Sequence, residues 1–154
     1  MWIAEPSTAL TDYLLTIECL FFSLRLYRMA PSSGGRLWML GFLALGIGAL
    51  VGGSFHGFRP FVSPRVSTFL WNASMVLIGT AAGFMISGLL ASTVFPARRW
   101  MLAGLAISVA GALLLALKVG IRENFNHNDL FHCVMLVALY SYYRGALLLQ
   151  SAVS

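Results

Sequence analysis

Five long runs of apolar residues, separated by short polar segments, dominate the chain. The runs cover residues 8–27, 37–57, 67–90, 100–119 and 130–152. Each run is close to the roughly 20 residues that a helix needs to cross the hydrocarbon of a bilayer. Prolines and a Pro-Ser-Ser-Gly-Gly segment interrupt the pattern between runs, where they favour turns. The pattern predicts an all-α integral membrane protein, a compact five-helix transmembrane bundle that forms one domain over residues 1–154.

The composition agrees with a membrane location. Hydrophobic residues make up 59% of the 154 residues and charged residues 10%, against about 45–50% and 25% in soluble domains. The net charge of +5 comes mainly from arginines at the ends of apolar runs, a position typical of residues that meet lipid headgroups. We therefore expect membrane lipids as partners and no binding of nucleic acid. Cys19 and Cys133 lie inside apolar runs and are expected to be small buried residues.

Basic residues indicate how the chain is inserted. Six arginines fall on the side of the first and third connections and of the C-terminus: Arg25, Arg28, Arg36, Arg98, Arg99 and Arg144. Four basic residues fall on the opposite side: Arg59, Arg65, Lys118 and Arg122. The positive-inside rule therefore predicts an outside N-terminus and a cytoplasmic C-terminus, in the inner membrane if the source is a bacterium.

Small residues recur at four-residue spacing in three of the runs. The pairs are Gly48 and Gly52, Gly53 and Gly57, Gly79 and Gly83, and Ala106 and Ala110. Such pairs let helix backbones approach closely in a membrane. We expect all of them to be helix contacts, with the second helix at the centre of the bundle.

All histidines and acidic residues fall toward one side of the membrane. They are His56, His127, His132, Glu5, Asp12, Glu18, Glu123 and Asp129. Asp12 lies about 6 Å along its helix, and His132 lies about 6 Å along the fifth helix if that helix begins at Asn128. His56 ends the second helix at a similar level. We expect Asp12, His56 and His132 to converge near the outer membrane surface. One carboxylate and two imidazoles would suit zinc with an open position for water.

Two residues of this group also have a structural interpretation. Asp129 either complements the dipole at the start of the fifth helix, with Asn126 or Asn128 as the N-cap, or it belongs to the site. In the site, Asp129 would bind the metal or orient His132, three residues along the same helix face. His127 is either a metal ligand or a residue of the membrane interface.

The histidine segments resemble those of a known superfamily. Ser54-Phe55-His56-Gly57 closes the second run, and Asn128-Asp129-Leu130-Phe131-His132 opens the fifth. They are similar to the S-x-x-F-H and H-x-x-x-H motifs of the alkaline ceramidase and progestin-adipoQ receptor (CREST) superfamily of membrane-embedded zinc hydrolases. The resemblance implies that His56 and His132 bind zinc and that a zinc-bound water attacks a lipid amide. Asn128 replaces the first histidine of the late motif, so Asp12, Asp129 or His127 would complete the ligand set.

Three functions are open on this basis. A zinc-dependent lipid amide hydrolase would take its metal ligands from four residues: His56, His132, Asp12 and His127. Ser54 and Asp129 would be its catalytic residues, with the Ser54 hydroxyl as a donor to the developing oxyanion or the water. The second function is a non-catalytic structural or accessory subunit of a larger membrane complex, in which the polar residues fix helix packing or a partner subunit. In the third, His56 and His132 ligate b-haem.

Overall fold

The computed structural model describes residues 3–29, 32–92, 94–122 and 125–151, without the side chains of residues 150 and 151. The described residues form five α-helices: α1 (Pro6–Arg28), α2 (Ser33–Phe58), α3 (Pro64–Leu90), α4 (Phe95–Ala116) and α5 (His127–Ser151). A short 3-10 turn, Arg59–Phe61, follows α2. Within the described ranges no β-strand forms, so the prediction of an all-α chain with five helices is confirmed.

Each helix starts two to five residues before the apolar run that predicted it. The reason is that capping and proline chemistry, rather than hydrophobicity, determine the first turn. Prolines that need no hydrogen-bond acceptor lie in the first turns of three helices: Pro6, Pro64 and Pro96. The hydroxyls of Ser32 and Ser63 cap α2 and α3. The predicted end of the fifth helix at Ala152 lies outside the described residues.

The helices run in alternating directions around α2. α2 packs against α1 on one side and α3 on the other, whereas α4 packs mainly on α5, which in turn contacts α1 and α2. Of the four membrane-length helical segments, the one that contains α2 is the most buried, and α3 and α4 are largely exposed. An apolar cleft of about 280 Å³ lies between α3 and α4, with Ile86, Leu105 and Met135 in its walls. The central position of α2 is the one that its glycine pattern predicts.

Alternation gives the bundle two chemically different ends. The starts of α1, α3 and α5 meet the ends of α2 and α4 at the acid–histidine end, which holds Glu5, Asp12, Asp129, His56, His127 and His132. The opposite end, the arginine end, holds Arg25, Arg28, Arg36, Arg98, Arg99 and Arg144. Within the described part of the chain, no acidic residue lies at the arginine end.

Four of the helical segments are long and apolar enough to cross a membrane. They are Ser33–Phe61, Pro64–Leu90, Phe95–Ala116 and His127–Leu149. The fold is therefore consistent with a multi-pass integral membrane protein. α1 is not among these segments, because polar and charged residues interrupt its apolar sequence.

The small-residue pairs are used only in part as helix contacts. Gly48 lies against Leu77 of α3, and Gly53 lies against Tyr13 of α1. By contrast, a Cβ atom at Gly79 or Gly83 would meet nothing within 4 Å, and two alanines of α4 are exposed: Ala106 and Ala110. The expectation that these two pairs pack against helices of the same chain is therefore wrong. Small residues at seven-residue spacing form those contacts instead: Ser74, Ala81 and Gly88 in α3, and Ala97, Gly104 and Gly111 in α4.

Candidate functional site

The outer group of polar side chains joins the start of α1 to the end of α2 and consists of Glu5, His56 and Arg59. The Glu5 carboxylate lies between its two partners, with Oε2 2.8 Å from His56 Nδ1 and Oε1 3.1 Å from Arg59 Nη2. The backbone N–H groups of Ala4 and Glu5 donate to the carbonyls of Gly57 and His56, at 3.1 and 3.2 Å. These bonds give partners to carbonyls at a helix end and hold Glu5 beside His56.

The inner group lies between α1 and α5 and consists of Thr11, Asp12 and His132. Asp12 Oδ1 is 3.5 Å from His132 Nε2, and Thr11 Oγ1 is 2.9 Å from His132 Nδ1. Both ring nitrogens of His132 therefore face a partner on α1. Asp12 is buried and the His132 side chain is mostly buried, so these contacts are shielded from solvent.

The hydrogen-bond roles at His132 follow from the single Thr11 hydroxyl proton. Thr11 Oγ1 also lies 3.0 Å from the carbonyl oxygen of Thr8. If Thr11 donates to His132 Nδ1, the neutral ring carries its proton on Nε2, which faces Asp12 Oδ1 at 3.5 Å. If Thr11 donates to Thr8 instead, it accepts from the Nδ1–H of the ring.

Asp129 caps the start of α5 and ties it to α1. Its Oδ2 accepts the Asn126 backbone N–H at 2.7 Å, and the Asn126 side-chain oxygen accepts the Asn128 backbone N–H at 2.7 Å. This reciprocal pattern is that of a capping box. Its Oδ1 accepts the Thr8 hydroxyl at 2.8 Å. Of the two interpretations of Asp129, the geometry favours the capping one, with Asn126 as the N-cap.

Glycines of α2 make room for Asp12. A Cβ atom at Gly53 would lie 3.0 Å from Asp12 Cβ, and one at Gly52 would lie 3.1 Å from Ser74 Oγ and 3.6 Å from Asp12 Oδ2. The Ser74 hydroxyl donates to the carbonyl of Gly48 at 3.0 Å. Close packing at these two glycines therefore brings α1 and α3 together on α2 at the level of Asp12.

The structure divides the predicted zinc ligands among different surroundings. Asp12 meets His132, His56 pairs with Glu5, and His127 lines a surface pocket beside Lys118. Across residues 3–29, 32–92, 94–122 and 125–151, no three His, Cys, Asp or Glu side chains form a group that could hold a metal ion. The residues present therefore do not fit zinc in this arrangement.

The two residues predicted to be catalytic both use their polar atoms in local structure. Ser54 Oγ donates to the carbonyl of Leu50, one turn earlier in α2, at 2.8 Å. Both Asp129 carboxylate oxygens are occupied by Thr8 and Asn126. Among the described contacts, none directs Ser54 or Asp129 toward a common reaction centre.

Several residues of the site were not predicted from the sequence to belong to it. Glu5, Thr8, Thr11 and Ser74 make contacts at the acid–histidine end. A signal for the α1 residues does exist in the sequence. Polar residues recur at positions 8, 11, 12, 16 and 23, a spacing that places them on one helix face. The Ser74 contact carries no comparable signal.

An open cavity of about 470 Å³ borders the outer group. Glu5, His56 and Arg59 line it on one side, with the aromatic side chains of Phe55 and Trp71. The rings of Phe55 and Trp71 are 5.2 Å apart, and the Arg59 guanidinium lies 5.8 Å from the centre of the Phe55 ring. The cavity thus combines both signs of charge with an aromatic wall at one end of the bundle.

Over the described residues, these features define an all-helical chain with four membrane-length apolar segments, an acid–histidine end and an arginine end. The chain belongs to DUF6962, a family of unknown function, whose profile matches residues 7–99 and 83–151. No curated protein and no solved structure matches the chain. The match carries no link to the CREST superfamily, so that resemblance stays a hypothesis.

Proposed function

We propose that the chain is a five-span membrane protein that acts as a non-catalytic structural or accessory subunit, with its acid–histidine end clamping α1 to α2 and α5. The contact between Asp12 and His132 carries this proposal, because it joins two helices by polar groups buried inside the bundle. Glu5 and His56 add a link to α2, and Thr8 and Asp129 a second link to α5. Fixing the register of packed elements is the best-attested use of buried polar groups.

The distribution of residues on α1 supports its role as the fifth span. Its polar residues Thr8, Thr11, Asp12, Thr16 and Ser23 are buried. Five of its large apolar residues, Leu10, Leu14, Ile17, Phe21 and Leu24, are exposed, while others such as Leu15 and Leu26 pack in the core. In water the opposite arrangement is favoured, whereas in hydrocarbon this one satisfies both classes of side chain.

The first prediction concerns topology, with the acid–histidine end outside and the arginine end in the cytoplasm. Excess arginine favours the cytoplasmic side, and Ser33 and Arg122 lie exposed at opposite ends of the bundle. In a background with Cys19→Ala and Cys133→Ala, an impermeant maleimide should label Arg122→Cys in intact cells. It should label Ser33→Cys only after permeabilisation. Labelling of both from one side contradicts five spans, while the reversed result contradicts only the orientation.

The zinc hydrolase is a second candidate, and one observation favours it. Asp12 is in contact with His132, and Gly52 lies beside both Asp12 and Ser74. Gly52 is one helical turn before His56 in α2. A carboxylate, a hydroxyl and two imidazoles therefore lie at neighbouring levels, and one of the imidazoles, that of His56, lines a cavity that a lipid headgroup could enter. In this candidate the two histidines would have to move from their present partners to share an ion with a third ligand.

The second prediction separates the two candidates by zinc content and stability. If the acid–histidine end is a clamp, the purified chain should hold far less than about one zinc ion per molecule. His132→Ala should lower the thermal unfolding temperature in detergent, because Asp12 loses its partner. Ser54→Ala should leave that temperature unchanged, since its hydroxyl bonds only within α2. About one zinc per chain, lost in His56→Ala, would instead favour the hydrolase, and a Soret absorption band would favour haem.

A further inference from the structure

α3 has two faces of opposite character. Its buried residues, Ser74, Ala81 and Gly88, face the rest of the chain. Roughly opposite them runs a second line of residues, which we call the outer seam: Asn72, Val76, Gly79, Gly83, Ile86 and Leu90. Their spacing alternates between four and three residues, which is the a and d pattern of a left-handed helix pair. The outer seam therefore has the periodicity of a helix interface.

The outer seam is uncovered along its whole length. Val76, Ile86 and Leu90 are 68%, 58% and 79% exposed. A Cβ atom at Gly79 or Gly83 would meet nothing within 4 Å. In α2, by contrast, glycines that face a neighbouring helix are closely covered. For example, a Cβ atom at Gly48 would lie 3.2 Å from Leu77 Cβ. The paired glycines of α3 thus leave a shallow groove that no helix of this chain fills.

Asn72 adds a polar group that lipid cannot satisfy. It is exposed, and it lies eight residues after Pro64, which is about 12 Å along a helix. At this depth α3, if it spans the membrane, carries Asn72 within the hydrocarbon layer of about 30 Å. Its amide makes no hydrogen bond with a described residue, and an unpaired amide in hydrocarbon is unfavourable. This observation is independent of the glycine spacing and indicates a partner that offers hydrogen bonds.

We propose that the outer seam binds the outer seam of a second copy of this chain in a parallel, two-fold symmetric dimer. Copies inserted in the same orientation bring Asn72 to the same depth. A side-chain amide both donates and accepts, so Asn72 is its own complement across a two-fold axis. Asn72 occupies a d position of this pattern, so its amide lies within the seam, where a polar residue restricts the register of such pairs, and Gly79 and Gly83 let the backbones approach.

The dimer is measurable by energy transfer between donor- and acceptor-labelled full-length chains in phosphatidylcholine vesicles at varied protein-to-lipid ratio. Asn72→Leu should weaken dimerisation about 5- to 30-fold, and Asn72→Gln should keep most of it. Gly79→Leu should abolish it, because the leucines of two copies would hold the helices apart. The matched control is Ala82→Leu, an exposed small residue of α3 outside the seam, which should dimerise like the unaltered chain.

Crosslinking tests the register directly. In a background with Cys19→Ala and Cys133→Ala, Val76→Cys should form an intermolecular disulfide on mild oxidation, whereas Ala82→Cys should not. A monomeric chain in vesicles, unchanged energy transfer in Asn72→Leu, or equal crosslinking at both positions would overturn the proposal. The inference requires only that α3 spans the membrane, so it is independent of the clamp at the acid–histidine end.

Discussion

Replacing Asp12 with alanine is expected to lower the free energy of unfolding by about 2–3 kcal/mol, the upper part of the range for leaving a buried polar group without its partner. The loss exceeds the roughly 0.6 kcal/mol average for interhelical hydrogen bonds in membranes, because Asp12→Ala also leaves His132 Nε2 buried without its partner. Asp12→Asn should cost less, about 1 kcal/mol, since its side-chain oxygen can still accept from His132. Unfolding in mixed micelles with increasing denaturing detergent, followed by circular dichroism, measures both variants.

A control on the same helix face separates the clamp from general packing. Thr16 is buried one turn deeper, and its hydroxyl donates only to the Asp12 carbonyl within α1, at 3.0 Å. Thr16→Val keeps the shape and should change stability by less than about 1 kcal/mol. A double-mutant cycle of Asp12→Ala with His132→Ala should show that the two losses are not additive. Additive losses would mean that the two side chains do not stabilise the bundle through each other.

The helices were predictable because each one coincides with a long run of mainly apolar residues. Five runs of membrane length joined by short connections must alternate in direction. The grouping of the acids and histidines toward one side was therefore predictable from the order of the helices. The meeting of Asp12 and His132 was predictable for the same reason, since both lie at one depth on helices that run in the same direction. Depth is a quantity that sequence position encodes directly.

The partner of His56 was not predictable from depth. Glu5 precedes the first apolar run, and it reaches His56 because backbone N–H groups of Ala4 and Glu5 bond to the end of α2. Such bonds leave no side-chain pattern in the sequence. The role of Asp129 was not predictable from the sequence either, because a helix-capping aspartate and a site aspartate have the same sequence signature. Only its hydrogen bonds with Asn126 and Thr8 distinguish the two roles.

Small-residue pairs do not by themselves indicate which helix packs on them. A glycine or alanine pair shows that a helix can approach another closely, but it does not identify the partner. In α4 the exposed alanines, Ala106 and Ala110, have the expected four-residue spacing, yet α5 contacts Gly104 and Gly111. Which of these two sets of small residues in α4 packs against α5 depends on the shape of α5. Its Tyr142 and Val134 side chains lie against Gly104 and Gly111.

The α4–α5 contact is therefore expected to be sensitive to a single added side chain. A Cβ atom at Gly104 would lie 2.8 Å from Tyr142 Cδ1 and 3.0 Å from the carbonyl oxygen of Ala138. Tyr142 could turn aside, but the carbonyl belongs to the backbone of α5 and cannot move without shifting the helix. Overpacking typically costs about 1–3 kcal/mol. Because the α5 backbone has to shift, Gly104→Leu should lower the free energy of unfolding by about 3 kcal/mol or more.

The matched control is Ala106→Leu, which adds a leucine two residues away on the exposed side of α4. It should change stability by less than about 0.5 kcal/mol, as surface substitutions usually do. Thermal unfolding and protease resistance in detergent measure both variants. Since α4 packs mainly on α5, losing this one strip should release α4 as a unit, and cleavage should appear first in the connections on either side of it. Equal stability of the two variants would mean that α4 is held by contacts other than the strip of small residues.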